Sequence, residues 1–396
     1  MPPSIRIIGS LNVDMVSVTP RFPHPGETLK ATSFSTHAGG KGANQAVACG
    51  RLSRPKPTTS TTTSPIDPTH IHVEMLGATG LLDTHFATLL QPTLHASGVQ
   101  TSRIRQIPNS HTGVAVIIVD TSAGGENRIL YSPGANYSGM QCTPEVLDLS
   151  LSPPMPDVLV LQAEIPIETI IGILRGVCAW KEARRKAAAG IEADVEVVFN
   201  PAPAPDGGLP VDVYGAVDHL VMNETECEIM APVGLESGVG EGSETETAAT
   251  SAGRRDRIAR HFHTLGVRHV LVTLGAKGVW YSAGDAGKDV QEQGMGDGGD
   301  GGWVRFVGEV PAAKVERVVD TTAAGDTFVG GYSVQIARWR EVRRAAGRGG
   351  EELTVEERRE MYGLFTERAV KWATKASARC VERSGAMDSI PWADEI

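Results

Sequence analysis

A carboxylate near the start of a helix, set among small residues, has the make-up needed to activate an alcohol for attack on a phosphoryl group. The stretch Val319-Asp320-Thr321-Thr322-Ala323-Ala324-Gly325-Asp326-Thr327-Phe328 fits that description. Ala323, Ala324 and Gly325 let a ligand approach the backbone, and the first N–H groups of a helix point outward beside its positive dipole end, which makes an anion hole. Asp326 at its rim would accept the proton of a hydroxyl nucleophile while those N–H groups stabilise charge on the group in transfer. The same aspartate suits a plain helix cap, and the motif alone leaves both roles open.

Other polar groups recur in the same kind of setting. Gly9-Ser10-Leu11-Asn12-Val13-Asp14 follows a short apolar run, and Asn12 and Asp14 share a face when the chain is extended. They suit a ligand or an ordinary Asx turn. His37-Ala38-Gly39-Gly40-Lys41-Gly42-Ala43-Asn44-Gln45-Ala46 sets glycines around one lysine just before a small-residue helix, a second helix start suited to anions or hydroxyls. It is not a Walker A loop, because Gly42 stands where that motif needs Ser or Thr. Asn223 and Glu226 at another helix start fit either a Mg²⁺ ion held through water or a capping box that needs no metal.

These groups need strands to carry them. Residues 5–8, 72–76, 158–161, 195–199, 219–222 and 270–274 read as strands with helical stretches between them, the βαβ pattern of a parallel sheet. Asn12, Asp14, Glu164, Asn200, Asn223 and Asp326 all follow strand ends, where doubly wound sheets bind ligands. Residues 314–319 are expected as the strand leading into the Asp326 motif. Residues 25–34, with a hairpin from 112–119 and 127–131, are expected to form a small separate sheet. The fold class is therefore α/β: a doubly wound, mostly parallel sheet flanked by helices, with a small β-sheet lid. One domain spans 1–396, with lid strands drawn from about 14–36 and 110–135. Low-complexity or charged stretches at 53–70, 233–253, 283–302 and 341–357 are read as loop or disordered insertions.

Bulk properties narrow the function classes. The 396 residues are 41% hydrophobic, enough for a packed core, and the net charge of −10 leaves no overall footprint for nucleic acid or an anionic membrane. Five scattered cysteines without a Cys-x-x-Cys pair fit a reducing compartment. With no leader-like start and no apolar run near ~18 residues, the expectation is a cytoplasmic protein, with the nucleus a second possibility. Asn136-Tyr137-Ser138 and Asn223-Glu224-Thr225 match the glycosylation pattern but would stay unmodified there. Gly294-Met295-Gly296-Asp297-Gly298-Gly299 matches the dinucleotide fingerprint by spacing, yet follows no strand and opens no helix.

Taken in order, Gly9 to Asp14, Gly39 to Ala46, Asn200-Pro201-Ala202-Pro203-Ala204, Asn223-Glu224-Thr225-Glu226 and Asp320 to Phe328 resemble the motifs of the ribokinase-like (PfkB) carbohydrate kinases, in particular their ribokinase branch. The resemblance covers nearly the whole chain apart from the insertions. It implies ATP-dependent phosphorylation of D-ribose at O5, with Asp326 as general base and Ala323, Ala324 and Gly325 as the anion hole. Asn12, Asp14, Gly39, Gly40, Lys41, Asn44 and Glu164 would bind the sugar. Asn223 and Glu226 would lie near the phosphates and Mg²⁺, and Thr273, Gly275, Gly278, Gly325 and Thr374 beside the nucleotide. Thr374 departs from the His or Asn usual in the family. A K⁺ site would be formed by Asp320, Thr322, Cys380, Arg383, Gly385 and Ser389, several through backbone carbonyls. The lid would exclude water and join a homodimer. Three alternatives remain: a kinase for deoxyribose or another sugar, a sugar-binding regulator without turnover, and a Rossmann-type oxidoreductase, the last disfavoured because the first strand lacks the glycine fingerprint.

Overall fold

The computed structural model describes residues 2–57, 70–122, 126–187, 194–232, 248–285, 304–349 and 351–396. Its strands are β1 (Ser4–Ile8), β2 (Asn12–Thr19), β3 (Ser33–Gly39), β4 (His72–Gly80), β5 (Val99–Ile107), β6 (Gly113–Asp120), β7 (Glu126–Ser132), β8 (Val158–Gln162), β9 (Glu196–Asn200), β10 (His219–Asn223), β11 (His269–Thr273), β12 (Val279–Gly284) and β13 (Arg305–Val310). The helices are α1 (Lys41–Leu52), α2 (Gln91–Ala96), α3 (Ala135–Ser138), α4 (Pro144–Leu151), α5 (Ile167–Lys186), α6 (Glu224–Ile229), α7 (Ala248–Thr264), α8 (Ala324–Ala345), α9 (Val355–Glu360), α10 (Thr366–Val381) and α11 (Ala386–Ser389).

Nine strands form one sheet in the order β13-β12-β11-β10-β9-β8-β1-β4-β5. It is parallel from β11 to β5, and β12 and β13 add an antiparallel edge. Its central strands are mostly apolar on both sides because both faces are covered, while the edge strands β5 and β13 are partly exposed. Ile5, Ile7, Val158 and Val160 pack into one core with α1, α8 and α10, while Ile8, Leu159 and Leu161 pack into the other with α4, α5 and α7. The doubly wound α/β architecture expected from the sequence is thus the one observed.

The lid is a four-stranded sheet in the order β3-β2-β6-β7. β2 runs parallel to β6, while β3 and β7 lie antiparallel to their neighbours. Because β2 follows β1 through Gly9-Ser10-Leu11 alone, the lid is hinged directly on the end of a central strand.

Several expected elements differ. Residues 314–319 form no strand. Val318 and Val319 are 61% and 49% exposed, and the N–H groups of Val319 and Asp320 donate to the Val381 carbonyl at the end of α10. β-propensity needs a partner strand and a half-buried face, and this segment has neither. In the 25–34 segment only Ser33 and Phe34 are in a strand. A turn at Gly26, with φ 77° and Glu27 N–H bonded to the His24 carbonyl, interrupts extension. Residues 248–253 are the start of α7, and 341–345 complete α8, so neither belongs to an insertion loop. Residues 58–69, 233–247, 286–302 and 350 of the expected insertions lie outside the described residues, as does the fingerprint-like stretch at 294–299.

Candidate active site

The glycines beside Lys41 bring α1 against the β1–β2 link. Gly40, the helix cap, has φ 92°, which disfavours other residues. A Cβ on Gly42 would lie 2.6 Å from the Ser10 nitrogen and 2.7 Å from the Gly9 carbonyl carbon. This close approach lets Ala43 N–H donate to the Ser10 carbonyl at 2.9 Å. It also sets the Glu164 carboxylate, just beyond β8, to accept from Ser10 Oγ at 2.5 Å and from the Lys41 backbone N–H at 3.0 Å. Asn12 is buried, and its Oδ1 accepts from Asn136 Nδ2 at 2.7 Å. Gly39 pairs with Asn12 in the lid ladder and packs against the Asp14 carboxylate, which a Cβ there would meet at 2.3 Å.

Asp326 is the third residue of α8 and is only 5% exposed. Ala323 is the cap residue, and no side chain caps this helix, so the cap role open to Asp326 is not the one it takes. Instead Oδ2 accepts from Asn44 Nδ2 at 2.9 Å and Oδ1 from Gln45 Nε2 at 3.0 Å. Of the neighbouring N–H groups, that of Ala324 is drawn to the Thr321 carbonyl at 3.2 Å. Those of Ala323, Gly325 and Asp326 have no partner among the described residues, as expected for a first helical turn.

Charge is concentrated here. Burial, with Glu164 and Asp326 nearby, pushes the Asp14 carboxyl up to about 6. Burial also raises Asp326, opposed by Lys41 and by the Asn44 and Gln45 hydrogen bonds. Burial works against the Lys41 ammonium, yet Asp326, Glu164 and Glu226 together hold its pKa above the ordinary value. Glu226 is raised by burial, with the Asn223 hydrogen bond and Lys41 opposing. Clustered perturbed groups of this kind mark functional sites more often than plain surface.

Two cavities meet at this helix start. One, of about 200 Å³, is lined by Lys41, Asn223, Glu226, Thr322, Gly325 and Asp326 among others. The other, of about 530 Å³, is more apolar and includes Thr273, Gly275, Gly278, Ala324, Gly325 and Thr374 in its wall. Thr273 and Gly325 belong to both. Asn223 and Glu226 form the reciprocal capping box of α6, with Glu226 N–H to Asn223 Oδ1 at 2.7 Å and Asn223 N–H to Glu226 Oε2 at 2.8 Å. Thr374 sends its hydroxyl to the Val370 carbonyl, so it offers the cavity little beyond a methyl group.

The residues expected around a monovalent cation form a separate cluster behind α8. Asp320 Oδ1 accepts from Thr322 N–H and Oγ1, and Oδ2 accepts from Gly385 N–H at 3.0 Å. Burial raises the Asp320 carboxyl, but these hydrogen bonds outweigh it and hold the pKa below its ordinary value. Cys380 Sγ and Ser389 Oγ lie 3.1 Å apart. Arg383 turns its side chain to Glu395, so only its backbone is available to the cluster.

Gln45, Asn136, Gln162 and Ser10 escaped the sequence reading as site residues. Gln45 alone carried a signal, because it adjoins Asn44 four residues after Lys41 on one helix. Asn136 reads as a glycosylation pattern, yet it is fully buried, accepts from Leu11 N–H and holds Asn12.

Comparison with known proteins matches residues 3–393 to the pfkB family carbohydrate kinases. A ribokinase of Schizosaccharomyces pombe is 32% identical over 393 residues, 98% of this chain and 95% of the relative. A deoxyribokinase of Salmonella typhi is 30% identical over 333 residues, 83% of this chain and 84% of the relative. The structure is similar to that of Arabidopsis thaliana ribokinase complexed with ribose and ATP, with a TM-score of 0.68 at 25% identity over 100% of this chain and 97% of that one.

Proposed function

The chain belongs to the pfkB family of carbohydrate kinases, and we propose that it transfers the γ-phosphoryl group of ATP to O5 of D-ribose, giving D-ribose 5-phosphate. The observation that carries this reading is the placement of Asp326. It is buried at the start of α8, beside a polar cavity that also takes in Lys41 and Glu226, and one residue after Gly325, which opens onto the larger cavity as well. Asp326 removes the O5 proton as the oxygen attacks, and the N–H groups of Ala323 and Gly325 meet the charge on the transferring group. The Ala324 N–H, bonded to Thr321, contributes less than the motif suggested. Asn12, Asp14, Gly39, Gly40, Lys41, Asn44 and Glu164 bind the sugar hydroxyls, and the larger cavity holds the nucleotide against Thr273, Gly275, Gly278 and Thr374.

Glu226 fits Mg²⁺ held through water. Among the described residues only its Oε2 is engaged and no group of three or more metal-ligating side chains occurs, so water and phosphate oxygens would have to supply the remaining ligands. Mg²⁺ would supply charge neutralisation of the phosphates. K⁺ fits the Asp320 cluster, where the carboxylate, bonded to Thr322 and Gly385, would be joined by backbone carbonyls around Thr322, Cys380, Arg383, Gly385 and Ser389. A bound K⁺ would stiffen the turn that precedes α8. The exposed apolar side chains Phe34, Ile129 and Leu130 support a homodimer through the lid, and five free cysteines support a reducing compartment such as the cytoplasm.

A kinase for 2-deoxyribose is the second reading, favoured by the identity to a deoxyribokinase. The two are separated by a panel of sugars with ATP and Mg²⁺, followed by ADP release. Turnover on D-ribose well above 2-deoxy-D-ribose supports the first reading and the reverse the second. Silence on every sugar leaves the non-catalytic regulator.

A further inference from the structure

Gln45 and Gln162 are both completely buried, and neither has a place in the mechanism above. Gln45 Nε2 lies 3.0 Å from Asp326 Oδ1 and 3.1 Å from Asn200 Oδ1, which uses both of its hydrogens. Gln45 Oε1 accepts from Gln162 Nε2 at 2.6 Å. Gln162 and Asn200 are paired neighbours on the last rung of β8 and β9, so the sheet register sets these two amides side by side. Asn200 Nδ2 donates in turn to the Val221 carbonyl at 2.9 Å. The direction of the chain is fixed by its ends. A flipped Gln45 amide would point its oxygen at the Asp326 carboxylate and at another carbonyl oxygen, and its NH₂ at a donor.

Gly9 makes room for the arrangement, since a Cβ there would lie 1.9 Å from Gln162 Oε1. That oxygen is buried and has no partner among the described residues, which is a sizeable cost for an amide that serves only packing. An apolar side chain of the same volume would avoid this cost, so the amide's retention points to the one donor bond it orients.

We propose that a buried amide relay from Gln162 through Gln45 to Asp326 positions the general base, with Gln45 as the positioning residue. With Asn44 on Oδ2 and Gln45 on Oδ1, successive residues of α1 each hold one carboxylate oxygen and prevent the group from rotating. Each oxygen keeps a lone pair free for the substrate proton. Donation to the ionised form also favours the carboxylate over the acid, which offsets part of the effect of burial.

The inference rests on Asp326 acting as the base, so the test includes Asp326→Asn. Steady-state kinetics with D-ribose, ATP and Mg²⁺ are measured across pH 5–9 for the wild type, Gln45→Glu, Gln162→Leu and Asp326→Asn, with thermal melts of each. Gln45→Glu keeps the bond from Gln162 but replaces both donors with a second carboxyl beside Asp326, so its effect includes like-charge repulsion, which Gln162→Leu does not add. It is expected to lower kcat about 10- to 100-fold with the sugar KM within about threefold, and to move the acid limb of kcat/KM up by about one pH unit. Gln162→Leu removes the donor to Gln45 Oε1, leaving the Gln45 amide held by Asp326 and Asn200 alone, and should shift both quantities in the same directions by less. A folded Gln45→Glu or Gln162→Leu enzyme whose acid limb stays in place overturns the relay. If Gln45→Glu does not fold, Gln162→Leu decides by the same readout. Turnover surviving in Asp326→Asn would remove the base itself, a failure distinct from that of the relay.

Discussion

Asn44 Nδ2 donates to Asp326 Oδ2 at 2.9 Å across 282 residues of chain. The contact ties the helix that follows the glycine-lysine motif to the helix that follows the Ala-Ala-Gly-Asp motif. Two helix starts, each ambiguous alone, face one point at the edge of the same sheet.

Asp326→Asn should leave sugar affinity nearly intact while lowering kcat by about 10²- to 10⁴-fold, because the amide still accepts a hydrogen bond but cannot take a proton. Isothermal titration with D-ribose beside turnover measurements separates the two quantities. Near-normal turnover contradicts base catalysis.

Asp14 offers a test through pH. Its folded pKa of about 6 lies above the ordinary 3.8, so between those values the folded state holds a proton that the unfolded chain releases. Stability of the ligand-free protein therefore falls as pH rises from about 4 to 6, and above that window the ionised group costs on the order of 1–3 kcal/mol. Asp14→Asn should raise the melting temperature at pH 7 and flatten its dependence through this window, while weakening sugar binding. An unchanged melting profile would show that the carboxylate is not strained.

Glu226 joins a structural and a proposed metal role in one side chain. Glu226→Gln retains an oxygen for the Asn223 N–H, so the capping box and the melting temperature should change little. The Mg²⁺ concentration for half-maximal activity should rise about fivefold or more if the charge serves the metal. Parallel loss of stability with unchanged Mg²⁺ dependence would leave only the cap.

At Asp320, replacement by Ala removes the acceptor that joins Thr322 to Gly385. Activity should lose its response to added K⁺, and the wild type should lose activity when K⁺ is replaced by Na⁺. Equal rates in K⁺, Cs⁺ and Na⁺ for the wild type would dismiss the cation site.

The lid gives a prediction about assembly. Every residue of β7 is exposed, with Ile129 at 56% and Leu130 at 66%, and Phe34 on β3 is 64% exposed. Leu130→Asp should convert a dimer to a monomer in sedimentation velocity at micromolar concentration. A monomeric wild type would reject the lid interface.

Sequence alone determined the parallel-sheet architecture, because strands buried on both faces are apolar in most of their length, as in β1, β8 and β9, where the polar exceptions are Ser4, Arg6, Gln162, Glu196 and Asn200. It also supplied the chemical types at the site, through Gly-Lys and Gly-Asp at helix starts, while leaving their roles open between ligand binding and capping. Tertiary structure decided which role each group takes. Asp326 is bonded to Asn44 and Gln45 and caps nothing, and the residues before it form no strand because no partner strand lies beside them. Gln162 and Asn136 became visible only in the fold, and Gln45 had no signal beyond its place beside Asn44. Amide side chains carry no periodic signal, and what they do depends on which buried donors and acceptors distant segments bring within 3 Å.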